Sequence, residues 1–151
     1  MRAGLVAACL VGLAGCLDSL EPDVGPPARA LCSDADSDPS VAVRYQADLV
    51  DGIFNRAVLH CDKCHTPGGA TPIGLLVSGL DLSTYDSLRA GGVQSGGDIV
   101  IPGQPCRSLL YQKVQAGPPF GARMPLDGPP YLRGDELRLV ADWIAEGAHN
   151  D

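Results

Sequence analysis

The chain has 151 residues and carries 18 acidic against 11 basic side chains, a net charge of −7 at neutral pH. So acidic a surface argues against nucleic acid as a partner, because binding to phosphates requires clustered Lys and Arg. After the first 15 residues no apolar run is long enough to span a bilayer, which argues against a membrane-spanning protein.

The first 15 residues are typical of an export signal. Met1-Arg2 provides a short positive start, and the apolar run from Ala3 to Leu13 is too short to form a mature transmembrane helix. The run ends in Leu13-Ala14-Gly15-Cys16, which resembles a bacterial lipobox, whose Cys is acylated and becomes the mature N-terminus. A plain secretory peptide cut nearby, or a retained hydrophobic helix, are the alternatives. We therefore expect residues 1–15 to be removed and lipid on Cys16 to anchor the protein to a membrane of the bacterial cell envelope, facing the periplasm.

Residues 16–40 combine several prolines with a high density of acids. Such a composition cannot bury a core, and it predicts a tether that holds the following domain away from the membrane. The folded domain is predicted over residues 41–151.

A helical pattern begins this domain. From Val41 to Cys64 apolar positions recur at steps of three or four, which predicts one stripe of a helix with Ser40 as its N-cap. Gly52 interrupts the pattern and costs roughly 1 kcal/mol relative to Ala. The stripe consists of Val43, Ala47, Val50, Phe54, Ala57 and Cys61.

The most informative motif is Cys61-Asp62-Lys63-Cys64-His65, which the pattern places at the C-terminal end of that helix. Two thiols followed directly by an imidazole are typical of covalent haem attachment, in which both thiols bond to the porphyrin and His65 becomes an iron ligand. A thioredoxin-like redox pair would require a preceding strand, with the motif at the start of a helix. A zinc site would require a further closely spaced ligand pair, and the sequence has none.

Of the six cysteines, Cys9 lies in the predicted signal, and Cys16, Cys61 and Cys64 already have predicted roles. Two cysteines then remain unassigned. In an oxidising compartment Cys32 and Cys106 are expected to form a disulfide between the tether and the domain, and two unpaired thiols are the alternative. The 74-residue separation would contribute at most ~4.5 kcal/mol in the chain-entropy model.

The remainder of the chain predicts an all-α fold, because no β-hairpin signature appears. Residues 66–106 are rich in Gly and Pro and predict a long wrapping loop with a brief helical turn around Ser83 to Arg89. So long a loop is unusual in a compact domain unless a large apolar group such as haem supplies part of the core. A short helix is predicted over Pro105 to Val114. An amphipathic helix follows over Asp135 to Ala148, ended by Gly147.

Taken together, these segments resemble a small class I cytochrome c domain over roughly residues 42–148. The matching stretches are Ile53-Phe54, Cys61 to His65, Gly79-Leu80-Asp81-Leu82, Val100-Ile101-Pro102-Gly103, Ser108-Leu109-Leu110-Tyr111, Arg123-Met124-Pro125 and Trp143 to Ala148. The resemblance implies a helical domain wrapped around one covalent haem c. It also implies single-electron transfer between redox proteins, without catalysis. The chain departs from the pattern at Arg133-Gly134, where such domains often carry a Ser or Thr helix cap.

The second axial ligand is predicted to be Met124. It is the only methionine besides the initiator, and cytochromes c use this position, just before the last helix, for their axial Met. His60 and Lys63 are tied to the attachment side, His149 lies near the C-terminus and Lys113 is a weaker alternative. A core-filling role is the other interpretation of Met124.

Further roles follow from the same resemblance. The His65 Nδ1–H group is expected to donate to a backbone carbonyl, with Pro67 or Pro72 in the loop that presents it. Arg123, Arg133 and Trp143 are candidate partners of the haem propionates, although surface exposure or packing explains each of them as well. Two alternative functions stay open: a haem enzyme or sensor with a labile distal ligand, and a fixed haem subunit of a larger respiratory complex.

Overall fold

The computed structural model describes residues 32–151; the predicted signal peptide, Cys16 and the rest of residues 1–31 lie outside the described residues. In the described part all regular structure is helical and no strand is present, which confirms the all-α prediction. None of its helices is long and apolar enough to span a bilayer. The helices are the N-terminal helix Tyr45–Phe54, the motif helix Cys61–His65, Ile73–Ser78, Tyr85–Ala90, Leu109–Val114 and the C-terminal helix Gly134–Glu146, with short 3₁₀ turns at Asp34–Asp36, Gly96–Ile99 and Pro105–Arg107.

The N-terminal helix winds more widely than the sequence pattern predicts. It has π geometry, and the Asn55 N–H group donates to the Val50 carbonyl five residues earlier, at 2.8 Å. Ala47 of the predicted stripe is exposed within this helix, and Ala57 is exposed beyond its end. Val43 and Phe54 of the predicted stripe are buried, and the helix also buries Tyr45, Leu49 and Ile53.

The predicted continuous helix from Val41 to Cys64 is wrong, because the N-terminal helix ends at Phe54. The chain then turns, and the Arg56 carbonyl accepts the amides of Leu59 and His60 at 2.9 and 3.0 Å. His60 adopts the left-handed conformation with φ 53°, which ends the turn and starts the motif helix in a new direction. Leu59 is 2% exposed, so burial of its side chain holds this turn against the core.

The C-terminal helix follows its prediction closely. Its predicted apolar face is buried at Val140, Ala141 and Ile144, and the helix ends at Gly147, whose φ of 125° favours glycine. The Arg133 N–H group donates to the Glu136 carboxylate at 2.7 Å. This bond satisfies one amide at the start of the helix without the Ser or Thr cap that the resemblance leads one to expect.

Residues 66–106 contain more helix than predicted. Tyr85–Ala90 matches the expected turn and is capped by the Thr84 hydroxyl, which accepts the Ser87 N–H at 3.0 Å. The helix Ile73–Ser78 was not predicted, because six residues between Pro72 and Gly79 are too short to show a helical period.

Residues 32–40 lie against the domain instead of extending away from it. Cys32 and Cys106 form a disulfide with a Cα–Cα distance of 5.6 Å, and the Cys106 N–H donates to the Asp34 carboxylate at 3.0 Å. Further along, the Asp38 N–H donates at 2.6 Å to Asp142, whose side chain is buried on the C-terminal helix. The acids and prolines that predict a tether are therefore fastened to the domain from Cys32 onward.

The Tyr45 hydroxyl is buried and, within the described part of the chain, has no hydrogen-bond partner. Its ring packs edge-on against Tyr85, with ring centroids 5.2 Å apart. Burial, followed by the nearby Tyr85 and Asp81, raises the pKa of Tyr45 to about 12. The Tyr85 hydroxyl, in contrast, donates to the Ala148 carbonyl at 2.7 Å.

We predict opposite effects of removing these two hydroxyls. Tyr45→Phe should raise the free energy of unfolding by about 1 kcal/mol, because a buried and unpaired hydroxyl is removed, whereas Tyr85→Phe should lower it by about 1 kcal/mol. Chemical denaturation of the two variants measures both effects. A loss of stability in Tyr45→Phe equal to that in Tyr85→Phe would contradict this account.

Candidate functional site

The motif helix presents two unpaired thiols. Cys61 and Cys64 are both partly buried and are the free cysteines of residues 32–151. Burial, with a smaller contribution from Asp62, raises the pKa of the Cys61 thiol to about 12. A redox-active cysteine pair requires a lowered thiol pKa and a strand before its helix. The motif does lie at the start of its helix, as such a pair requires, but Cys61 has the opposite pKa shift and no strand lies in the described range. These two differences count against the thioredoxin-like alternative.

The His65 ring is held in one tautomer. Its Nδ1 lies 3.1 Å from the Leu80 carbonyl oxygen, and because a carbonyl only accepts, Nδ1 carries the proton. The lone pair is therefore on Nε2, as an imidazole ligand to a metal requires. Burial lowers the pKa of His65, which also favours the neutral ring.

The carbonyl that accepts this proton differs from the predicted ones. It belongs to Leu80, and not to Pro67 or Pro72. Leu82 adds a second link, since its N–H donates to the His65 carbonyl at 2.8 Å. The segment Leu80 to Leu82 thus returns to the motif helix and fixes His65 through both its ring and its backbone.

A glycine allows the helix Ile73–Ser78 to lie against the imidazole. A Cβ atom placed on Gly74 would lie 2.7 Å from both Cε1 and Nε2 of His65, which is closer than real Cβ contacts. The ring and the helix backbone approach each other because Gly74 has no side chain. Neither Leu80 nor Gly74 was identified from the sequence as a site residue.

The structure also brings the loop after Met124 to the motif helix. The Lys63 ammonium lies 3.3 Å from the Asp127 carboxylate, three residues beyond Met124. Pro125 and Asp127 line a cavity of about 320 Å³ together with His60, the residue before the motif. Met124 itself is half-buried and packs against the hydrophobic core.

Of the three candidate partners of the haem propionates, Trp143 and Arg123 donate hydrogen bonds to backbone carbonyls, and Arg133 is exposed. Trp143 is fully buried, and its single N–H donor is committed to the His149 carbonyl at 2.9 Å, which leaves it no donor for a propionate. The Arg123 Nε donates to the Val114 carbonyl at 2.8 Å. Arg133 is exposed before the C-terminal helix.

The donor set fits a covalent haem better than a metal ion bound by side chains alone. Residues 32–151 contain no group of three or more His, Cys, Asp or Glu side chains that could hold a metal, so the zinc alternative has no ligand set there. A porphyrin brings its own ring nitrogens, and the protein then supplies attachment thiols and axial ligands only. Cys61, Cys64 and the free Nε2 of His65 are groups of the required kinds.

No family model, curated protein or solved structure matches the chain. The functional assignment therefore depends on the residues and geometry of this chain.

We predict that Gly74→Ala disturbs the imidazole, because the added methyl group would overlap Cε1 and Nε2 of His65. Expressed with a haem-ligation system, this variant should carry less haem per protein than the wild type, measured as haem absorbance against protein mass. Gly68→Ala is the matched control, because a Cβ at Gly68 meets nothing within 4 Å. Equal haem content in the two variants would count against the predicted role of the Gly74 contact.

Proposed function

We propose that this chain is an exported, lipid-anchored monohaem c-type cytochrome that carries single electrons between redox proteins. One observation carries the proposal. The motif helix carries two unpaired thiols, and the residue directly after Cys64 is an imidazole whose Nδ1 proton is bound to the Leu80 carbonyl, which leaves Nε2 as a lone-pair donor. This combination suits covalent porphyrin attachment with axial ligation from the adjacent residue.

In this proposal four residues hold the group. Cys61 and Cys64 would attach the porphyrin through thioethers, and His65 Nε2 and the Met124 sulfur would bind the iron. When bound, haem iron supplies one-electron chemistry by changing between its ferric and ferrous states. If side chains bind the iron on both sides, no position would be open for oxygen or peroxide, and this would favour a carrier over an enzyme.

The disulfide and the surface charge support the proposed location and partners. A Cys32–Cys106 disulfide is expected in an oxidising compartment, because thiols in the cytosol are kept reduced. Lipid on Cys16 would hold the domain at the periplasmic side of a membrane. The net charge of −7 favours a redox partner with a basic docking patch over a nucleic acid.

The two cysteine pairs allow a direct test of covalent attachment. The full chain is expressed in a bacterial host that ligates haem, and intact mass and haem stain on denaturing gels are measured. Cys61→Ser with Cys64→Ser should lose the covalent haem, whereas Cys32→Ser with Cys106→Ser should retain it. A wild-type mass without an added haem would overturn the proposal.

We predict that Met124→Leu converts the carrier into a gas-binding protein, because Leu keeps the volume and removes the sulfur. The ferric spectrum should lose the red band of thioether-bound iron, the reduction potential should fall, and the ferrous protein should bind carbon monoxide rapidly. The wild type should resist carbon monoxide. Rapid binding by the wild type would instead favour the alternative of a haem sensor or enzyme.

A further inference from the structure

Lys113 holds the loop that leads to Met124. Its ammonium group donates to the carbonyl of Phe120 at 2.8 Å and to that of Ala122 at 2.5 Å. It also lies 4.9 Å from the centroid of the Phe120 ring. Hydrogen bonds from a charged donor are stronger than neutral ones, so this side chain fixes the loop over several residues.

The backbone of the same residue reaches Met124 directly. The Met124 N–H donates to the Lys113 carbonyl at 2.8 Å. Lys113 therefore binds every second residue of the segment, at Phe120 and Ala122 through its side chain and at Met124 through its backbone. The backbone position of Met124 is set from the helix Leu109–Val114, which Lys113 belongs to.

Arg123 holds the neighbouring side of the loop. Its guanidinium donates to the carbonyls of Val114 and Leu132, at 2.8 and 3.5 Å, and lies 4.3 Å from the centroid of the Tyr131 ring. Lys113 and Arg123 thus both donate hydrogen bonds to backbone carbonyls on either side of Met124. Both cations are partly buried, and their hydrogen bonds tie the loop to the helix Leu109–Val114.

We propose that Lys113 is a positioning residue that holds Met124 where it can act as an axial ligand. The inference rests on the proposed function and deepens it. Lys113 itself is not the ligand in this account, because its ammonium group is bonded to two carbonyls. The charge of Lys113 determines instead whether the loop keeps Met124 in the ligand position, as a carrier requires, or lets small molecules reach that position.

The test uses the haem-loaded full chain with Lys113→Gln, and Arg138→Gln as the control that removes one exposed positive charge from the C-terminal helix. In Lys113→Gln the ferric thioether band should weaken, and the rate of carbon monoxide binding by the ferrous protein should rise about tenfold or more, since the loop opens more often. Lys113→Arg should restore much of the band, and Arg138→Gln should resemble the wild type.

Amide hydrogen exchange in the reduced protein provides a readout that does not depend on ligand binding. The Met124 amide should exchange faster in Lys113→Gln than in the wild type. An unchanged band, carbon monoxide rate and exchange rate in Lys113→Gln would overturn the inference while leaving the cytochrome assignment intact. A wild type without the thioether band would instead overturn the ligation by Met124.

If Lys113→Gln fails to fold, exchange in the wild type decides. The Met124 amide should then be protected about tenfold or more relative to that of the exposed Gly117 in the same loop. Equal exchange of the two amides would overturn the inference.

Discussion

The packing of Trp143, on the C-terminal helix, against Tyr45 of the N-terminal helix is the contact on which the rest of the domain depends. Its side chain is fully buried, its ring centroid lies 5.6 Å from that of Tyr45, and its N–H is paired with the His149 carbonyl. An indole buries more apolar surface than any other side chain, so this contact fixes how the two helices cross. The motif helix follows the N-terminal helix in the chain, and the loop with Met124 precedes the C-terminal helix. Both sides of the candidate site are therefore positioned from one core.

The acidity of the chain has a structural component as well as an electrostatic one. Three acids in the C-terminal part accept backbone amides from the segment that enters the domain. Asp142 accepts from Asp38 at 2.6 Å, and Glu146 from Val43 at 3.1 Å. Asp151 accepts the Tyr45 amide at 3.2 Å. These carboxylates satisfy amides that precede and begin the N-terminal helix, so only part of the negative charge is available for a partner.

Features with a local signal could be predicted from the sequence, and contacts between distant segments could not. The apolar face of the C-terminal helix is such a local pattern, and its predicted positions Val140, Ala141 and Ile144 are buried. The N-terminal helix differs from its prediction because the chain turns after Phe54 and because π winding shifts the helical period. The Leu80 carbonyl and Gly74 reach His65 through a loop whose path no sequence period describes. Lys113 was weighed only as a ligand, because its bonds to carbonyls have no counterpart in a sequence motif.

If Cys16 carries the proposed lipid, the disulfide at Cys32 limits how far the domain can lie from a membrane. In that case 15 residues lie between the anchored Cys16 and Cys32. Fully extended, such a segment spans at most about 55 Å. The domain would then stay close to the bilayer surface. Electron exchange would therefore favour partners that are themselves embedded in that membrane or attached to it.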